Sequence, residues 1–340
     1  MKRGCTAKSG LVASLARAKT GFNAEAREED VSGIVDVHHH IMLPEFLALQ
    51  EERIKRTGYW GAKLTEWTPA WSIEEMDKNG AATSILSISA PGCWTGKIGE
   101  SRGLARALNE YNATVVRDHA GRFGFFATIP LPDIEGSLKE LAYALDVLKA
   151  DGICLLTNYD GKYPGDPAFA PVYDELNRRR AIVYSHPAAV DCCVNMLPGV
   201  PMAILEFMFD TARAVTSLLS SGTFARCPDI RFIFSHCGGA LPTIAGRING
   251  WSASLGDRVP QGALAELGRL NFDTASMANP ATFGAVLKLV PASQVFYGSD
   301  FPWGTMAAAK NPLRALGLSA DDLYAIEEGN ARRLFARLRG

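Results

Sequence analysis

Eight short apolar runs alternate with longer amphipathic stretches from residue 33 to the C-terminus, and this alternation narrows the choice of fold more than any other feature. The runs are 33–39, 83–89, 123–130, 152–158, 181–187, 230–236, 270–275 and 294–299. They are rich in β-branched and aromatic residues, as strands buried on both faces are. Between them, apolar positions recur at helical spacing over 72–79, 101–119, 136–150, 168–180, 203–221, 240–254 and 280–289, and a terminal helix is expected over 319–338. Strand and helix repeated eight times predict an α/β protein with a parallel sheet, a (β/α)8 TIM barrel. Residues 31–340 read as a single barrel catalytic domain, and 41–71, after the first strand, as a lid-like insertion carrying Trp60, Trp67 and Trp71. Those aromatics would either cover a substrate or hold the loop down.

In such a barrel the chemistry collects where the strands end. The first strand ends in His38-His39-His40. Period two puts His38 and His40 on one face and His39 on the other, where it should pack against helices. Asp36 shares the parity of His38 and His40 one step deeper, so it could orient a ligand, and Asp273 is a second candidate for that task. The fifth strand ends Tyr184-Ser185-His186, the sixth Ser235-His236-Cys237, and the eighth Gly298-Ser299-Asp300. His38, His40, His186, His236 and Asp300 should therefore converge on one face. Three imidazoles and a carboxylate make a mixed N/O set for one divalent metal ion, zinc first and manganese as the alternative. The fourth strand ends Thr157-Asn158 without the Lys or Glu that would bridge a second ion. His119 follows a helix and reads as a surface residue. Gly238-Gly239 sit at a strand-to-helix turn, where they would allow backbone to approach a ligand closely. No phosphate loop, dinucleotide fingerprint or serine elbow is present, so no organic cofactor is expected.

Composition removes other classes. A net charge of -1 on 340 residues calls for neither nucleic acid nor a membrane surface, and no apolar run is long enough to span a bilayer. Seven cysteines without a CxxC pair argue against a disulfide framework and for a reducing, cytoplasmic setting. They read as packing thiols, with Cys237, beside His236, the one nearest to chemistry. Residues 1–30 carry Lys2, Arg3, Lys8, Arg17 and Lys19 before any acid, a bias like that of a transit peptide, and are read as a flexible extension.

The motifs Asp36-Val37-His38-His39-His40, Ser185-His186-Pro187, Ser235-His236-Cys237-Gly238-Gly239-Ala240-Leu241-Pro242 and Gly298-Ser299-Asp300-Phe301-Pro302 resemble those of a known family. It is the metal-dependent amidohydrolase-related group that includes aminocarboxymuconate-semialdehyde decarboxylase, a barrel of the metal-dependent hydrolase superfamily type. The runs 100–102, 122–128 and 143–152 are most similar to the 6-methylsalicylate decarboxylases within it. The resemblance implies that His38, His40, His186 and Asp300 bind the metal and that His236 is a catalytic acid/base. It also implies a homodimer in which Arg247 reaches the partner's site and holds a substrate carboxylate. The expected activity is metal-dependent nonoxidative decarboxylation of a small ortho-hydroxy aromatic acid, giving a phenol and CO2. His236 is the expected proton donor and Asp300 the alternative. Arg53 and Lys63 are candidate carboxylate anchors in the insertion. A metal-dependent hydrolase of a small ester, lactone or amide would use the same constellation, and an aromatic-lined slot with a basic clamp, rather than a wet pocket, separates the two. A non-catalytic binding barrel would show a broken metal set, and no member is missing here.

Overall fold

Each of the eight apolar runs becomes a strand: β1 (Ile34–His40), β2 (Ala81–Ser87), β3 (Phe123–Thr128), β4 (Gly152–Leu156), β5 (Ile182–His186), β6 (Arg231–Phe234), β7 (Asn271–Asp273) and β8 (Val295–Phe296). They pair in parallel in sequence order. The computed structural model describes residues 33–56, 62–194 and 196–339, with backbone alone at 62 and 63. The expected extension 1–30, Trp60 and the Lys63 side chain lie outside the described residues.

The ring closes through the chain just beyond β8. Val37 N donates to Tyr297 O (3.0 Å), Asp300 N to His38 O (2.9 Å) and His40 N to Phe301 O (2.7 Å). The fold is therefore a (β/α)8 barrel, and its seam runs through the residues with metal-ligand chemistry. Helices α1 (Pro44–Arg56), α2 (Pro69–Asn79), α3 (Ile98–Asp118), α4 (Ile134–Asp146), α5 (Ala170–Arg178) and α6 (Met202–Ser220) follow in order, then shorter ones at Leu241–Asn249, Pro280–Leu289 and Met306–Arg314. Their starts obey local chemistry: Thr68 accepts from Trp71 N ahead of Pro69, and Asn279 accepts from Thr282 N ahead of Pro280.

Apolar side chains pack in two layers. One lies between strands and helices. The other fills the barrel interior with Val35, Val37, Ile85, Phe126, Tyr184 and Ile233, and Phe335 closes the end away from the histidines. Tyr184 and Phe126 stack there with ring planes 3° apart.

Four expectations change. The 41–71 insertion is largely helical, because α1 buries Phe46, Leu47, Gln50 and Ile54. Trp67 is buried and donates to Ser72 Oγ (3.0 Å), while Trp71 packs edge-on to Phe301, so these two hold the insertion to the body. Gly238 and Gly239 approach protein rather than ligand: an added Cβ would lie 2.6 Å from the Phe272 ring and 2.3 Å from Met208 O. The terminal helix is interrupted by a π-helical turn, Ala325–Gly329, where Ile326 O accepts from Tyr297 N (2.9 Å). That bond ties the chain just after the two-residue β8 to the terminal helix.

The fourth change concerns β1. Asp36 pairs with Ser84 and His39 with Leu86, so three steps on β1 oppose two on β2. This bulge breaks strict alternation between Asp36 and His38. The Asp36 carboxylate consequently lies away from the His38 ring. It accepts from His38 N (3.1 Å), Ser299 N (3.0 Å) and Ser299 Oγ (2.6 Å), and it contacts His39 Nδ1 (3.0 Å). Asp36 thus ties β1 to the segment after β8 and does not orient a ring at the cavity.

Candidate active site

The five groups expected from the strand ends meet at one place. The Nε2 atoms of His38 and His40 are 3.0 Å apart and lie 3.2 and 3.1 Å from Asp300 Oδ1. His236 Nε2 is 4.0 Å from the other carboxylate oxygen, Asp300 Oδ2. His38, His186, His236 and Asp300 each offer a ligand atom, all within 4.8 Å of one another, and form the one such cluster among the described residues. His40 belongs to the same cluster through its contacts with His38 and Asp300. Two of these residues hold left-handed backbone, His236 (φ 54°) and Asp300 (φ 62°). A non-glycine residue adopts that region at a cost of roughly 1–3 kcal/mol, so the surrounding structure is holding these side chains in place.

Every imidazole is oriented through its Nδ1. His38 Nδ1 meets Asp273 Oδ2 (3.0 Å), His40 Nδ1 meets Ser87 Oγ (3.2 Å), His186 Nδ1 meets Pro187 O (2.8 Å) and His236 Nδ1 meets Ala275 O (3.0 Å). The Asp273 carboxylate also accepts from Tyr184 OH (2.9 Å), His236 N (2.9 Å) and Ala275 N (2.9 Å). Asp273 therefore orients His38, as its position near the site suggested. Tyr184 was legible only as a packed aromatic.

Burial sets the electrostatics. It lowers the pKa of His40, His186 and His236 from the ordinary imidazole value, and the neighbouring His40 and His38 deepen the shift at His186. At His38 burial also opposes charge, but Asp273 and Asp300 outweigh it and raise the group to about 10. Burial pushes Asp300 the other way, yet the adjoining imidazoles hold it well below the usual carboxylate range. The site is thus an anionic carboxylate facing a ring of nitrogens.

This donor set fits a divalent cation. With each Nδ1 facing an oxygen partner, the Nε2 atoms are left to converge. Asp300 Oδ1 is buried and has no hydrogen-bond partner, although two Nε2 atoms lie within 3.2 Å. A cation at the centre would satisfy that oxygen and the converging nitrogens together.

The cluster opens into a cavity of about 930 Å³, counting its mouth, lined by His186, His236, Asp300, Ser89, Ala90, Ala203, Ile204, Phe207, Met208, Ser276, Met277, Trp303 and Gly304. Within one chain, Arg247 is exposed on the helix Leu241–Asn249 and lies outside this lining. Arg53 faces a different cavity, with Trp94, Asn158 and Asp160, and donates to Trp94 O. Its placement argues against its being an anchor at the metal-facing cavity. His39 is buried against Phe301, with Ser72 Oγ at 2.9 Å from Nε2, as its parity predicted. His119 is partly exposed at the end of α3, and Cys237 is fully buried with its thiol pKa raised by that burial.

Comparison with known proteins places the chain. The family model described as amidohydrolase matches residues 35–337, and the protein belongs to that family. Among its relatives, the decarboxylase yanB of Aspergillus niger is 36% identical over 89% of this chain and 87% of its own length. The 6-methylsalicylic acid decarboxylase of Penicillium expansum is 32% identical over 90% of this chain and 97% of its own length. A crystal structure of an amidohydrolase II superposes with a TM-score of 0.81 at 26% identity, covering 90% of this chain and 100% of that one.

Proposed function

We propose that this protein is a carboxy-lyase, a metal-dependent decarboxylase that converts an ortho-hydroxy aromatic acid of the 6-methylsalicylate type to a phenol and CO2. The observation that carries the reading is the cavity. At one end stand the converging imidazoles and Asp300, and apart from Ser89 and Ser276 the rest of the described lining is apolar and aromatic, with Phe207 and Trp303 among it. Such a slot suits a flat ring held by one polar edge better than it suits a hydrolytic water. Relatives named as decarboxylases span nearly the whole chain.

His38, His40, His186 and Asp300 would hold one divalent ion, zinc or manganese. When bound, it supplies a Lewis acid for the substrate's carboxylate and phenol oxygens and stabilises their negative charge. His236 is the proton donor in this scheme. It stands beside Asp300 Oδ2, away from the Asp300 Oδ1 atom that His38 and His40 share. With the Nδ1 proton kept on Ala275 O, the step uses the imidazolium, whose charge Asp300 favours. A proton taken up by Nε2 as the substrate's phenol ionises is added to the ring carbon bearing the carboxylate. The C–C bond then breaks with its electron pair left on the ring, CO2 departs, and aromaticity returns. Asp300 is the second candidate for this transfer, because its carboxylate touches both the metal ligands and His236.

Among the described residues the cavity wall has no Lys or Arg. That fits a homodimer in which Arg247, exposed in one chain, supplies the carboxylate clamp to its partner. The enzyme would work in a reducing, cytoplasmic setting, where its cysteines stay free.

The test is CO2 release and phenol formation from 6-methylsalicylate by protein loaded with zinc or manganese, alongside a panel of esters, lactones and amides. Turnover of the hydroxy acid is expected. His236→Ala should lower it about 10²–10⁴-fold with metal content unchanged. Ester or lactone hydrolysis without CO2 release from any hydroxy acid would overturn the assignment.

A further inference from the structure

We infer that the preferred substrates carry an apolar chain longer than a methyl group on the ring, and that the first turns of α6 form the subsite for it. The inference rests on the decarboxylase reading and specifies its substrate class. The polar groups that could hold a hydroxy acid, His186, His236 and Asp300, occupy one part of the cavity wall. Beyond them the described lining offers only Ser89 and Ser276 as polar side chains, and Ser89 Oγ already accepts from Trp303 Nε1 (3.1 Å). The remainder is Ala90, Ala203, Ile204, Phe207, Met208, Met277 and Trp303 with Gly304.

A ring held by the polar groups leaves the α6 part of the wall for a substituent to cover. Unfilled apolar wall would remain hydrated, and covering it with chain is favourable.

The cavity wall also has a direction. Ala203, Phe207 and Met208 lead to Ile204, which lines the cavity yet is 59% exposed. A flexible chain can follow that wall outward, whereas a second carboxylate would meet no counter-ion among the described lining residues, the one cation proposed for the cavity, Arg247 of the partner subunit, being engaged by the substrate's own carboxylate. The two long methionine side chains, Met208 and Met277, can adapt to chains of different length.

The experiment is a chain-length series. Salicylates bearing methyl, propyl, pentyl and heptyl chains at ring position 6, with a parallel series at position 4, are turned over by the metal-loaded enzyme. In at least one series kcat/KM should rise about fourfold per methylene, the ratio that about 0.8 kcal/mol per buried CH2 gives, and then level off where the chain leaves the cavity. The 3-alkylphenol products should bind the metal-free protein, measured by calorimetry, in the same order. Ala203→Trp, which fills the wall, should abolish the gain for pentyl and heptyl chains. A flat or falling profile in both series, with 6-methylsalicylate still decarboxylated, overturns the subsite and leaves the decarboxylase standing. An ω-carboxylated chain that works as well as the alkyl chain of equal length also overturns it. No CO2 from any member is instead a failure of the decarboxylase reading itself.

Discussion

Asp273 ties together groups on or just after three strands behind the site. It contacts His38 Nδ1 and accepts from Tyr184 OH, His236 N and Ala275 N, so one carboxylate fixes the His38 ring and the backbone of His236. Asp273→Asn keeps the shape but removes the charge and one acceptor oxygen. Outer partners of ligating histidines are typically worth 10–100-fold in metal affinity, and a loss of about that size is expected in competition with a chelator. Circular dichroism should be unchanged; full affinity in the variant would refute the role. His38 and His40 were legible in the sequence because period two constrains residues on one strand. Tyr184 was not, since a phenol inside an apolar run reads as packing until its partner on another strand is known. The Arg247 clamp lies beyond one chain, because its proposed target belongs to the partner subunit.

At the scale of elements, local signals worked where the cause is local. Thr68-Pro69 and Asn279-Pro280 announce the helices they cap. The β1 register shifts have no such signal, and Asp36 lies between them, at the barrel seam rather than at the cavity. Helices α4 and α5 are joined by a chain of charges in which Arg179 contacts both Asp146 and Glu175. Hydrogen bonds from Arg178, then those from Arg179, bring Glu175 from 4.5 down to about 2. A carboxylate with a depressed folded-state pKa adds stability that is present above its unfolded value and lost as pH falls through the folded one. The thermal midpoint should therefore drop between about pH 4.5 and 2, and Glu175→Gln should flatten that part of the profile while lowering the midpoint at pH 7 slightly. An unchanged acid profile would show that the network adds nothing measurable.

Across the whole molecule, stability and chemistry occupy opposite ends of one barrel. Phe335, fully buried, packs near Phe126 at the interior end away from the histidines, with ring centroids 5.8 Å apart. Phe335→Ala should cost about 3–5 kcal/mol in denaturant unfolding, the usual range for a buried phenylalanine. Turnover at low temperature should change little, because Phe335 belongs to the interior cluster and not to the cavity lining. A loss below about 1 kcal/mol would mean that the end of the barrel collapses to fill the gap.

The amino-acid sequence by itself determined the number and order of the strands, the barrel and the residues that end the strands in metal-binding chemistry. These follow from short-range periodicity and from the rule that parallel barrels work at their C-terminal ends. Only the tertiary structure decided which face each residue took past the β1 bulge, that the glycines after His236 serve packing, and that the cavity is walled by α6. Those depend on contacts between residues far apart in the chain, for which local spacing carries no information.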